Sequence, residues 1–160
     1  MKHRGVSTFS MAAVSLAALC LMAAGSLRAQ ERALVEHLKS SGSLPADLPF
    51  SEAVRVGDTV YLSGQIGVEP GTMELVEGGL AAEARQTLEN IKATLQANGL
   101  SMDDVVKCTV MLADIGEWAV FNEIYRSYFS PPYPVRSAFG ANGLAGGARV
   151  EVECTAAARP

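Results

Sequence analysis

The chain has 160 residues, with 13 Lys and Arg against 17 Asp and Glu and only two histidines, a length that makes one domain. His3 lies in a basic leader and His37 ahead of the domain, so no Ser-His-Asp triad, His-based zinc site or HExxH helix can be assembled, and no GxxxxGK phosphate loop is present. Any catalysis has to rest on carboxylates, arginine, hydroxyls and backbone groups.

Residues 1–29 read as a secretory signal peptide. Lys2, His3 and Arg4 form a positive start, Met11 to Ala24 is an apolar run of 14 residues, and Ala29 supplies a small residue for cleavage. That run is too short to span a ~30 Å hydrocarbon core comfortably. The expectation is export to the periplasm, with membrane contact only during passage; a lipid anchor at Cys20 is disfavoured by Leu19 before it. Lys2, Arg4 and Arg28 leave with the leader, so 10 Lys and Arg face 17 Asp and Glu, a net charge of −7. An acidic surface without a basic stripe repels a phosphate backbone, so nucleic acid is not expected as a partner. Cys108 and Cys154 remain. They could pair in an oxidising compartment, but both sit in apolar runs, KCTVML and VECTAA, where a buried free thiol is the favoured reading.

Residues 30–48 are expected to form an extension, helical from Glu31 to Lys39 and then a Ser/Gly/Pro linker, with the domain occupying 49–160. Residues 52–57 and 59–66 alternate as strands around Gly57-Asp58, a hairpin signal. EPGTMELVEGG is turn-rich, with room for a short third strand. Leu80, Ala84, Leu88, Ile91 and Leu95 fall on one face of a helix over 79–98 that Asn98-Gly99 stops. Residues 104–112 form a strand. Asp114 and Glu117 have the spacing of a capping box opening a second helix, whose aromatic stripe of Trp118, Phe121, Tyr125 and Tyr128 reads as core or subunit contact. Pro131-Pro132 ends that helix, and 135–141 and 149–157 are the last strands, joined by the Gly-rich NGLAGG.

Both helices must bury their stripes on one face of a single mixed sheet. The strands carry apolar residues on both parities, however, as in VYLSGQI and VVKCTVML. Two helices cannot cover two faces, so the second face is expected to pack on other copies of the chain.

In family order, the stretches PFSEAV, GDTVYLSGQIG, ARQTLENIKATLQANGLSMDDVVKCTVML, FNEIYRSYF, PVRSA and VEVE resemble the reactive intermediate deaminase family, of RidA or YjgF type, over residues 48–158. The resemblance implies an α+β, chorismate-mutase-like fold: one mixed sheet, two helices on one face, the last strand in the middle, and a homotrimer with a ligand site at each subunit interface. It also implies cofactor-independent hydrolysis of reactive 2-imino and enamino acids to 2-oxo acids and ammonia.

Residue by residue, Arg136 in PVRSA matches the family's carboxylate-binding arginine, whose fork of donors suits a carboxylate bidentately. Glu151, fifteen positions later, matches the acidic residue that would hold and activate water; Glu153 shares its face and competes for the role. Ser63 and the neighbouring Gly64, in YLSGQIG, match positions near the imine end of the ligand, and Asn122 matches a position lining the pocket. Phe50 stands where the family usually has Tyr, and Ala138 where it often has Cys. These two departures point to a bulkier or more apolar imino acid. The alternative is a non-catalytic binding protein for carboxylate metabolites on the same fold. RNA cleavage, also attached to relatives, is opposed by the acidic charge, the leader and the absence of a histidine base.

Overall fold

A computed structural model describes residues 34–158, so the signal-peptide reading lies outside the described residues. Strand β1 (Val35–His37) is followed by β2 (Ala53–Val56) and β3 (Thr59–Leu62). Gly57, at φ 59°, takes the first central position of the two-residue turn between β2 and β3, the type II′ geometry that matches strand twist and that a side chain would strain. Then come β4 (Gln65–Ile66), helix α1 (Gly79–Ala97), β5 (Val105–Leu112), α2 (Trp118–Arg126), β6 (Val135–Gly140) and β7 (Val150–Ala157). They form one seven-stranded sheet in the order β1-β2-β3-β7-β5-β6, with β4 also on β7. Only β5 and β6 run parallel. The last strand is central, as the resemblance implied, and its two-sided burial demands that place. No helix of the described residues is long and apolar enough to cross a membrane.

Leu80, Ala84, Leu88, Ile91 and Leu95 of α1 are all buried against the sheet with Phe121, Ile124 and Tyr125 of α2. Val150, Val152, Cys154 and Ala156 supply the central row of that face, and Val105, Cys108, Val110 and Leu112 the row beside it. The other parity of β7, with Tyr61, Val135 and Phe139, faces away from the helices, and those three rings and branches are exposed. This is the uncovered apolar face that the strand patterning requires.

Several expectations are corrected. Residues 35–37 form a strand rather than part of a helix: three apolar residues cannot bury a helical stripe, whereas the open edge of β2 offers backbone partners, Val35 to His37 opposite Val56 to Val54. The expected linker is packed, with Ser43 and Leu44 buried. The strand expected over 59–66 breaks at Ser63-Gly64, and the third strand is a single bridge, Val68 to Leu75. Asp114 accepts from the Gly116 amide at 2.8 Å, but it caps a 3₁₀ turn over Ile115–Glu117 that precedes α2. Glu117 does not close a box there, because its carboxylate holds Arg149 at 2.7 Å; the complete capping box is Ser101 with Asp104.

The cysteines are also corrected. Cys108 and Cys154 form a disulfide. The antiparallel register of β5 and β7 sets them directly opposite on the helix-covered face, with Cα atoms 4.2 Å apart. Two apolar runs read separately do not reveal that pairing.

A second stripe of α1 is polar yet buried, a feature that apolar periodicity does not signal: Glu83, Thr87, Asn90 and Thr94. Asn90 donates to the Ile66 and Val68 carbonyls at 3.2 and 3.0 Å. Gly67 between them has no side chain because a Cβ would sit 2.5 Å from the Glu83 Cα. Thr94 donates to Glu52 at 3.3 Å, and Glu52 also accepts from Ser40 Oγ at 2.6 Å and from the Ser41 amide and hydroxyl, both at 2.8 Å. Burial pushes the Glu52 carboxyl up, but these hydrogen bonds outweigh it and hold it below its ordinary value. A lowered carboxyl contributes stability above the ordinary value that is lost as pH falls through the lowered one. Glu52→Gln is therefore expected to melt below wild type at pH 7, and the gap to narrow as acid protonates the wild-type carboxylate. A gap independent of pH in thermal melts would refute this.

Candidate active site

The matched residues fall into two groups. The first surrounds the break between β3 and β4. There the chain needs glycine: a Cβ on Gly64 would collide with Glu151 Oε1, so the carboxylate of β7 rests directly against the Gly64 backbone. Ser63 is fixed on the other side of the break, its amide donating to the Glu52 carbonyl at 2.9 Å and its hydroxyl to the Ser51 carbonyl at 2.7 Å. With that proton committed, Ser63 Oγ presents lone pairs. Phe50 precedes Ser51 and is half exposed at 52%. His37, set aside in the sequence as lying ahead of the domain, is brought onto the sheet by β1, where its Nδ1 lies 2.8 Å from Ser51 Oγ.

Partial burial raises the Glu151 carboxyl above its ordinary value, and the neighbouring charge of Glu153 adds to the effect. Glu153 is itself exposed. A carboxyl shifted upward is better matched to taking and returning a proton near neutral pH. Glu153→Gln is expected to lower the Glu151 pKa and to move any acid limb it governs downward.

The second group lies on edge strand β6, on the opposite face. Arg136 projects toward α2, where its Nη2 donates to Asn122 Oδ1 at 2.7 Å. The guanidinium lies 4.5 Å from the Tyr125 ring centroid and 5.7 Å from that of Trp118. Burial pushes the Tyr125 hydroxyl up to about 12, against a smaller opposite effect of Arg136, so it stays protonated and neutral. Arg136 lines a cavity of about 320 Å³ with Asn122, Tyr125, Arg126, Tyr133 and Pro134. No carboxylate among the described residues forms an ion pair with Arg136, and its Nη1 is buried without a hydrogen-bond partner. A half-buried cation with spare donors and no anion is a site for one. Ala138, two positions on, packs against the main core instead of lining the cavity. The aromatic stripe of α2 thus has two functions: Phe121 is core, while Trp118 and Tyr125 hold Arg136. Among the described residues no group of three His, Cys, Asp or Glu side chains could hold a metal ion.

One protomer does not bring the two groups together. In register, Glu151 faces Met111 and then Phe139, whereas Arg136 faces Cys108. Two strand spacings across and three residues along separate their backbones by roughly 14 Å, and the side chains leave opposite faces of the sheet.

The family profile described as Endoribonuclease L-PSP matches residues 41–158. Among curated proteins, the 2-iminobutanoate/2-iminopropanoate deaminase of Bos taurus is 43% identical over 128 residues, covering 79% of this chain and 93% of the bovine protein. The protein of that name from Homo sapiens is 42% identical over 128 residues, with the same coverage of 79% and 93%. Among solved structures, RidA from the Antarctic bacterium Psychrobacter superposes with a TM-score of 0.72 at 43% identity, over 76% of this chain and 98% of that one. E. coli TdcF with bound serine superposes with a TM-score of 0.71 at 33% identity, over 78% and 99%.

Proposed function

Because the chain belongs to the Endoribonuclease L-PSP family, of RidA/YjgF type, we propose that it hydrolyses reactive 2-imino and enamino acids to 2-oxo acids and ammonia without a cofactor. The observation that carries this reading is the unpaired Arg136 on one face and the raised Glu151 against Gly64 on the other. The sites form between subunits of a homotrimer, Arg136 of one meeting Glu151 of the next. The exposed Tyr61, Val135 and Phe139 supply apolar surface for that contact.

Arg136 takes the substrate carboxylate through its fork of N–H groups. Water, held by Glu151 and Ser63 Oγ, attacks the imine carbon as Glu151 takes its proton and passes it to the imine nitrogen, giving the carbinolamine. Glu151 then takes the carbinolamine hydroxyl proton as the C=O bond forms and delivers it to nitrogen as the C–N bond breaks, releasing ammonia. An enamine enters the same path after protonation at carbon. Phe50, without a hydroxyl, favours imino acids with apolar side chains, whereas Ala138, packed on the core, opens no room for a larger one. RNA cleavage has less support, since the chain is acidic and no basic groove is needed by this chemistry.

The leader and the Cys108–Cys154 disulfide support an exported, periplasmic protein, because such bonds persist where thiols are not kept reduced.

The test uses an amino-acid oxidase to generate imino acids of several sizes with semicarbazide as the competing trap. Wild type is expected to suppress semicarbazone formation, Arg136→Ala and Glu151→Gln to lose about 100-fold or more in kcat/KM, and the acid limb to lie above the ordinary carboxylate value and fall in Glu153→Gln. Wild type equal to the no-protein control on every imino acid would reject turnover in favour of a carboxylate-binding protein.

A further inference from the structure

Among the described residues Arg136 is held by two rings and one amide and by no acid. The Tyr125 ring lies beneath the guanidinium at 4.5 Å and the Trp118 ring at 5.7 Å, while Asn122 Oδ1 fixes one edge at 2.7 Å. Trp118 and Asn122 stand four positions apart on α2, and Tyr125 three further on, so one helical face carries the whole cradle. Tyr125 is in turn locked by Phe121 and Phe129, with centroids 5.8 and 4.5 Å away. Its hydroxyl is buried without a partner, so what it offers Arg136 is its ring.

We propose that Trp118 and Tyr125 are positioning residues, an aromatic shelf that fixes the plane of Arg136 while leaving its full charge for the substrate carboxylate. A carboxylate in their place would orient the guanidinium equally well but neutralise it and compete with the ligand. Attraction to a ring face orients the cation without occupying its N–H edge. The proposal rests on the reading of Arg136 as carboxylate anchor.

The experiment measures pyruvate binding by calorimetry, and kcat and KM in the semicarbazide-trap assay, for the whole protein. Trp118→Leu, at a partly exposed position, is expected to weaken pyruvate binding and raise KM about fivefold with kcat within twofold. Trp118→Phe should recover most of the loss, and Tyr125→Phe, which keeps the ring, should bind pyruvate more tightly than Trp118→Leu does. Trp118→Leu binding pyruvate as wild type does, or Tyr125→Phe losing affinity as strongly as Trp118→Leu, would overturn the shelf while leaving the anchor intact. Arg136→Ala binding pyruvate as tightly as wild type would overturn the anchor, and the shelf with it. Calorimetry needs no turnover, so a protein that binds without hydrolysing still decides between these outcomes.

Discussion

Arg136→Ala and Glu151→Gln, each inactive alone, are expected to recover about a quarter of wild-type activity when denatured together in equal amounts and refolded into mixed oligomers. The expectation follows from the sheet. Arg136 leaves β6 toward α2, Glu151 leaves β7 on the other side, and no side chain of either type reaches across two strands and through a packed layer. Under the proposed mechanism a complete site takes the arginine of one subunit and the glutamate of another. In a random mixture half the arginines and half the glutamates are intact, so about one site in four has both. An activity no greater than that of the separate variants would mean that each protomer carries its own complete site by a route this sheet does not provide, or that the two residues do not act together. The same mixture distinguishes catalysis from binding, since Glu151→Gln keeps Arg136 and its aromatic shelf and should still bind a 2-oxo acid.

Loss of the Cys108–Cys154 disulfide is expected to be strongly destabilising. The bond joins residues 46 apart in sequence, and closing a loop of that size constrains the unfolded chain by about 4 kcal/mol. For a domain of this size that corresponds to a fall in Tm of about 15 °C. The variant to measure is Cys108→Ala with Cys154→Ala. Both cysteines are buried on the helix-covered face of the sheet, so a single replacement would add an unpaired thiol to the comparison. Thiol titration of the denatured, unreduced protein should find neither cysteine reactive; two reactive thiols there, or a double variant melting with wild type, would refute the expectation. The bond also has a local consequence, because Cys108 is the cross-strand neighbour of Arg136 as well as of Cys154. The strand that carries the anchor is registered against a cross-linked pair.

What the sequence determined by itself is what depends on near neighbours in the chain. The five apolar positions of α1 lie 3 or 4 apart and are all buried; Gly57-Asp58 makes its turn; β5, β6 and β7 begin and end within a residue or two of where alternation predicts. The surplus of apolar residues on both parities marked a second apolar face, which the two helices leave open. The matched motifs named Arg136, Glu151, Ser63, Gly64 and Asn122 as expected site residues by position alone.

What only the tertiary structure decided is everything that depends on which strands are neighbours. The disulfide was hidden because alternation places a cysteine on a face but does not say what stands opposite it. β1 was hidden because three residues hold no periodicity, and a strand that short exists only by borrowing the edge of β2. The buried polar stripe Glu83, Thr87, Asn90 and Thr94 reads in sequence as the solvent face of an amphipathic helix; it is buried because the broken strand around Gly64 and Gly67 exposes carbonyls and amides that need partners. The division of the site has the same origin. Arg136 and Glu151 look like one constellation in the sequence, and the pleat of the sheet, with its period of two, sends them to opposite sides.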